Sequence, residues 1–172
     1  MIASLLCTAG IHKSQAHSST NALSETQEGI KYIKMLGGTL KSQLREQLQA
    51  DPSGLSAIGF CTAKAQLITD EVNAQLPDHA KVRRTSLRTR NTMNKPDTKD
   101  IEIMKEIEES INHKTPTAMM IRKVNTKNAT RYYKPLVAEA ACLKCHGENI
   151  SPEIQAVIQA SYPDENASHY TL

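Results

Sequence analysis

Cys142-Leu143-Lys144-Cys145-His146-Gly147 sets two thiols three positions apart, with an imidazole directly after the second. C-x-x-C-H is the spacing that attaches a c-type haem. On one helical turn, each thiol can add across a haem vinyl group and leave a thioether. His146 is then held beneath the ring with a nitrogen aimed at the iron. Two other chemistries use part of this pattern. A zinc half-site would take Cys142 and Cys145 but needs a second ligand pair, and the sequence has no other C-x-x-C and no H-x-x-x-H. A thioredoxin-like dithiol belongs at the start of a helix after a buried strand and does not require the adjacent histidine. The pattern therefore favours one covalent haem c.

The elements that must hold this motif can be read from the rest of the chain. Its 172 residues suffice for one domain with a real core. With no Trp, one Phe and five Tyr, side chains alone fill that core thinly, and a buried porphyrin would supply the missing flat apolar bulk. A net charge of +3 argues against a nucleic-acid-binding protein.

Residues 1–16 carry an apolar run from Ile2 to Ile11 and a small-x-small ending at Ala16, the pattern of a cleaved export leader, although no Lys or Arg precedes the run. The run is too short to span a bilayer, so no stable membrane insertion is expected. Covalent haem calls for export independently, which predicts a periplasmic domain over residues 23–172. Cys7 would leave with the leader, and Cys61 would remain as a single thiol in an oxidising compartment.

Ile30, Ile33, Leu36, Leu40, Leu44 and Leu48 lay one stripe along a first long helix, with Ser24 and Gln27 as its capping box and Gly37-Gly38 predicting a bend. Asp51-Pro52 restarts a helix whose inner face runs Leu55, Ile58, Cys61, Ala65, Ile68 and Val72. On spacing alone, Cys61 is a small buried hydrophobe. Lys81 to Arg90 alternates as a strand, with Arg84 and Arg88 on one side and Arg83 on the other. Beside a haem, these arginines would serve as forked partners for the two propionates. A third helix begins at Asp97 or Thr98 with Ile101, Met104, Ile107 and Ile111 inward. Residues 118–124 and 130–137 pair as a hairpin carrying Tyr132 and Tyr133, and Ser151-Pro152 caps a last short helix.

Taken in order, several blocks resemble a known family. They are Ala57-Ile-Gly-Phe-Cys61 with Ala65, then Val82-Arg83-Arg84-Thr85-Ser86-Leu87, Arg90-Asn91 with Asn94 and Pro96-Asp97, Tyr133-Lys-Pro135-Leu136, and the Cys142 to Gly147 motif. Over roughly residues 25–170 they resemble the PAS-like single-haem c domain, found alone in exported bacterial proteins and as the periplasmic part of sensors. The resemblance implies an α+β fold, a PAS-like antiparallel sheet flanked by helices, with long N-terminal helices. It implies that Cys61 is the distal iron ligand opposite His146, and Tyr133 is counted with Arg83, Arg84 and Arg88 around the cofactor. His113 or a Met is the fallback distal ligand. Where the family continues into a G-D-x-R-G turn and a final strand, this chain has Tyr162-Pro163-Asp164 to Tyr170 without the expected Gly, which predicts a sheet short of that strand. Two functions follow: electron transfer with a redox partner protein, or sensing of redox state or gas through loss of Cys61 on reduction. With no second catalytic group identifiable, no enzyme is expected.

Overall fold

A computed structural model describes residues 4–12, 23–114, 116, 120–164 and 167–170; within Ser4–His12 it describes the backbone, and burial for Thr8 and Gly10 alone. The fold is α+β. A four-stranded antiparallel sheet runs in the order β2-β1-β4-β3, formed by β1 (Ser4–His12), β2 (Ala80–Thr85), β3 (Arg122–Asn125) and β4 (Ala129–Val137). Around it stand α1 (Glu25–Ala50), α2 (Leu55–Ala63), α3 (Ala65–Ala74), α4 (Thr98–Asn112), α5 (Leu143–His146) and α6 (Pro152–Ser161).

Residues 4–12, within the stretch expected as a leader, form a strand of this sheet. Ser4–His12 pairs with β2 from Leu6↔Thr85 to Ile11↔Ala80, and with β4 from Ser4↔Val137 to His12↔Ala129. Cleavage after Ala16 would remove a strand hydrogen-bonded on both sides and expose two open edges. An apolar run of this length satisfies a leader and a central strand equally, and only distant partners decide between them. Cys7 lies in β1, in register with Arg84 and Lys134. The expected long strand over 81–90 ends at Thr85, because buried Ser86 turns the chain by accepting a hydrogen bond from Arg88 N–H at 3.3 Å. Residues 167–170 add no strand to the sheet.

Both sheet faces are covered, as consecutive Tyr132 and Tyr133 make clear. Side chains alternate across a strand. Tyr132 therefore joins Tyr32, Ile33, Leu36, Phe60, Ile68, Val72 and Val82 beneath α1, α2 and α3, while Tyr133 joins Ile103, Met104, Ile107 and Ile111 of α4. Each fully buried aliphatic of this kind contributes about 1.5–3 kcal/mol. Gly29 lets α1 lie against the Tyr132 ring, since a Cβ there would stand 2.5 Å from Cδ2. The outer edge of β2 is closed by Asn73, whose amide accepts from Val82 N–H at 2.8 Å and donates to Val82 C=O at 2.9 Å.

The capping box of Ser24 and Gln27 starts α1 as expected. The expected bend does not interrupt it: α1 is one element through Gly37 and Gly38, where an added Cβ would meet nothing within 4 Å. The second long helix begins later and is split. Asp51 accepts from Ser53 N–H at 3.0 Å and Ser56 N–H at 2.9 Å, Gly54 turns the chain with φ 93°, and α2 starts at Leu55, which is exposed. At Lys64 (φ −113°, ψ −31°) α2 gives way to α3, with Ile58, Ala65, Ile68 and Val72 still buried. In α4 Ile103 is buried in place of the expected Ile101.

Asp97 caps α4, accepting from Asp100 N–H at 2.8 Å and from Arg131 at 2.6 Å. Burial works to raise its carboxyl, but the Asp100 N–H, Arg131 and Arg83 outweigh this and hold it below the usual range. A depressed carboxylate contributes stability that is present above its unfolded value and lost as pH falls through the folded one. The thermal midpoint is therefore expected to fall below about pH 4 more steeply in wild type than in Asp97→Asn. Parallel melting curves from pH 3 to 6 would check this.

Candidate functional site

The C-x-x-C-H residues occupy a 3-10 turn, Ala140–Cys142, running directly into the single turn of α5. Cys142, Cys145 and His146 are all half-buried. Gly147 follows because a Cβ there would stand 2.5 Å from the Leu143 carbonyl oxygen. His146 Nδ1 lies 2.8 Å from the Ala167 carbonyl oxygen. A carbonyl only accepts, so Nδ1 carries a proton, and in the neutral ring Nε2 then carries the lone pair, the protonation that makes imidazole a metal ligand.

Cys61 lies on α2 and reaches the same place. Both Cys61 and Cys145 pack against the cluster of Ile58, Ile154 and Ile158 that joins α2 to α6. The Asp51–Gly54 turn ties these parts together, since Lys144 of α5 donates to the Pro52 carbonyl at 2.9 Å. Burial pushes the Cys61 thiol up to about 11, with Cys145 and Cys142 adding to the rise and Arg84 and Arg90 opposing it. Burial also raises the Cys145 thiol, against Arg90 and Lys144. Tyr162 feels Cys61, Arg84 and Arg90 as well, and burial again leads its upward shift. Three thiols, two guanidiniums, a phenol and an imidazole of fixed tautomer thus share one half-buried region.

The arginines divide differently from the expectation. Arg84 projects toward the thiols, as strand alternation from buried Val82 requires. Arg83 turns to the opposite face, where it pairs with Asp100 and donates to the Lys95 carbonyl at 3.2 Å. Tyr133 is on that face too, its hydroxyl donating to Asp100 at 3.0 Å. Neither belongs with the thiols. Arg88 donates to the Ser168 carbonyl at 3.1 Å and lies 5.1 Å from the centre of the Tyr170 ring, so its guanidinium is engaged by the chain's own 167–170 segment. Arg90, absent from the expected cofactor set, donates to the Cys145 carbonyl at 2.7 Å. His113, the fallback distal ligand, caps the C-terminal end of α4. Only Arg90 left a trace in the sequence, through the Arg90-Asn91 block; the Ala167 carbonyl carries no side-chain signal.

Cys61, Cys142 and Cys145 are free thiols, and among the described residues no three His, Cys, Asp or Glu side chains converge as a bare-ion site would require. A haem iron asks less of the chain, because the porphyrin supplies four ligands and the protein only the axial ones. The donor set fits that demand: two adjacent thiols for thioethers, an imidazole whose lone pair sits on Nε2, and a further inward thiol beside them.

No curated protein and no solved structure matches the chain. A family model does match, over residues 9–172, and so takes in part of β1, the long helices, the sheet and the C-x-x-C-H turn. The chain accordingly belongs to the Tll0287-like family, known as a PAS-like c-type haem domain.

Proposed function

We propose that this protein carries one covalent haem c and moves single electrons to or from a redox partner protein. Cys142 and Cys145 would form the thioethers, His146 would be one axial ligand and Cys61 the other. The observation that carries the reading is the Nδ1 hydrogen bond of His146 to the Ala167 carbonyl, 2.8 Å long, within a C-x-x-C-H turn that shares its apolar packing with Cys61. Once bound, the group supplies a one-electron ferric/ferrous couple. The residues supply the rest: His146 holds its proton at Nδ1, the isoleucines pack against the Cys61 and Cys145 thiols, and Arg84 and Arg90 place positive charge near them. No catalytic role is assigned to any side chain.

Thioether attachment also supports placing the protein in an exported, periplasmic setting. No described helix is long and apolar enough to cross a membrane.

The test is covalent attachment. Produced with a c-type haem maturation system and then denatured, the wild-type chain is expected to keep its haem under acid–organic extraction, whereas Cys142→Ser/Cys145→Ser releases it. A wild-type chain that releases haem, or never acquires it, would refute the reading. Carbon monoxide added to the reduced protein then tells the two functions apart: an iron that stays six-coordinate supports electron transfer, and ready binding supports gas sensing instead.

A further inference from the structure

Residues 167–170 lie across the C-x-x-C-H turn as a strap. Its backbone is bonded to the turn by His169 N–H to the Gly147 carbonyl at 3.1 Å and Tyr170 N–H to the His146 carbonyl at 2.8 Å. The Ala167 carbonyl closes the loop by accepting from His146 Nδ1. The strap's own side chains add only long bonds, Tyr170 Oη to Ser86 Oγ at 3.4 Å and Ser168 Oγ to Arg90 at 3.5 Å, among those described. His169 sits in the left-handed region at φ 64°, which costs a residue with a side chain about 1–2 kcal/mol.

The grip comes from the loop after β2. Arg88 Nη1 donates to the Ser168 carbonyl at 3.1 Å and lies 3.4 Å from the His169 carbonyl, so it bonds the residues on either side of the strained peptide. Its guanidinium also stands 5.1 Å from the Tyr170 ring centre, within cation–π range. Charge-assisted bonds of this kind are worth roughly twice a neutral one. Arg90 spends its short bond on the Cys145 carbonyl, inside the turn itself, and adds only long contacts to the strap, 3.5 Å to the Ala167 carbonyl and 3.5 Å to Ser168 Oγ.

We propose that Arg88 is a positioning residue for His146: by gripping the strap it keeps the Ala167 carbonyl on Nδ1 and so fixes which ring nitrogen holds the lone pair. In water the neutral imidazole of histidine favours the proton on Nε2, the tautomer that cannot ligate through that atom. The strap imposes the reverse. The consequence for an iron atom rests on the haem reading above; the tautomer itself does not.

The experiment uses the full chain without haem, labelled with nitrogen-15 at histidine, near pH 8, above the ordinary imidazole value. Imidazole nitrogen shifts then report the tautomer of His146. Wild type is expected to show Nδ1–H. Arg88→Met, which keeps an apolar stem over Tyr170, is expected to lower the Nδ1–H to Nε2–H ratio at least about threefold, the loss of one hydrogen bond's net contribution. Arg88→Lys, which can still donate to the two carbonyls, should recover most of the ratio. An unchanged ratio in Arg88→Met would overturn the proposal. So would loss of the wild-type far-ultraviolet circular dichroism in both variants, since Arg88 would then be holding the fold and not the ligand. A chain that never attaches haem leaves this readout intact, so the two readings fail separately.

Discussion

Asp100→Asn is expected to destabilise the fold by about 3 kcal/mol, the lower end of the 3–5 kcal/mol seen when one partner of a buried ion pair is removed. The carboxylate is 1% exposed and serves four donors: Arg83, Arg131 at 3.2 Å, the Tyr133 hydroxyl at 3.0 Å and Asp97 N–H at 3.0 Å. It thereby joins β2, β4 and the first turn of α4. The asparagine amide keeps the shape but turns an NH2 toward two guanidiniums and removes their counter-charge. Arg83 and Arg131 keep 31% and 29% of their side chains in solvent, which softens the loss and sets the lower figure. For a domain of this size the thermal midpoint should drop by about 6–12 °C, read by circular dichroism. A drop under about 2 °C would mean that solvent already screens the cluster and that α4 is held by Met104 and Ile107 alone.

This cluster also explains what the sequence could and could not disclose. Elements with local causes were legible. Ser24/Gln27 and Asp97 start helices through bonds to their own next turn, and Ser151-Pro152 does the same for α6. Cys61 was legible as inward because Ile58, Ala65 and Ile68 fix the helical face on which it lies. Arg84 followed from alternation with Val82. What required distant partners was not legible. Ser4–His12 becomes a strand only because β2 and β4 leave a place between them. Arg83 could be set on its face of β2, but nothing in the sequence says that Asp100, seventeen positions on, awaits it there. Arg88 lies beyond the end of β2, where alternation no longer predicts direction, and Tyr133 carries a hydroxyl whose acceptor is on α4. The strap was missed because its chief atom is a backbone carbonyl.

If Cys61 is the second axial ligand, as proposed, Cys61→Ser should leave covalent haem attachment intact while changing the ferric spectrum and raising the midpoint potential. The reasoning starts from burial. Packed with Ile58, Ile154 and Ile158, the Cys61 thiol is pushed up to about 11, so in the haem-free chain it is protonated at neutral pH. Thiolate ligation must then release that proton, and the charge gained favours the ferric state over the ferrous. Serine is close in size and keeps α2 packed, but its hydroxyl gives up a proton far less readily than a thiol. Losing an anionic donor is expected to raise the potential by at least about 100 mV, a modest part of the roughly 0.8 V that axial ligands command. Arg84 and Arg90 remain in place in the variant, so the change reports the sulfur and not the surrounding charge. Absorption spectra of both oxidation states, followed by a redox titration, provide the comparison. An unchanged ferric spectrum and potential would return Cys61 to the role its spacing alone suggests, a small apolar residue in the seam between α2 and α6.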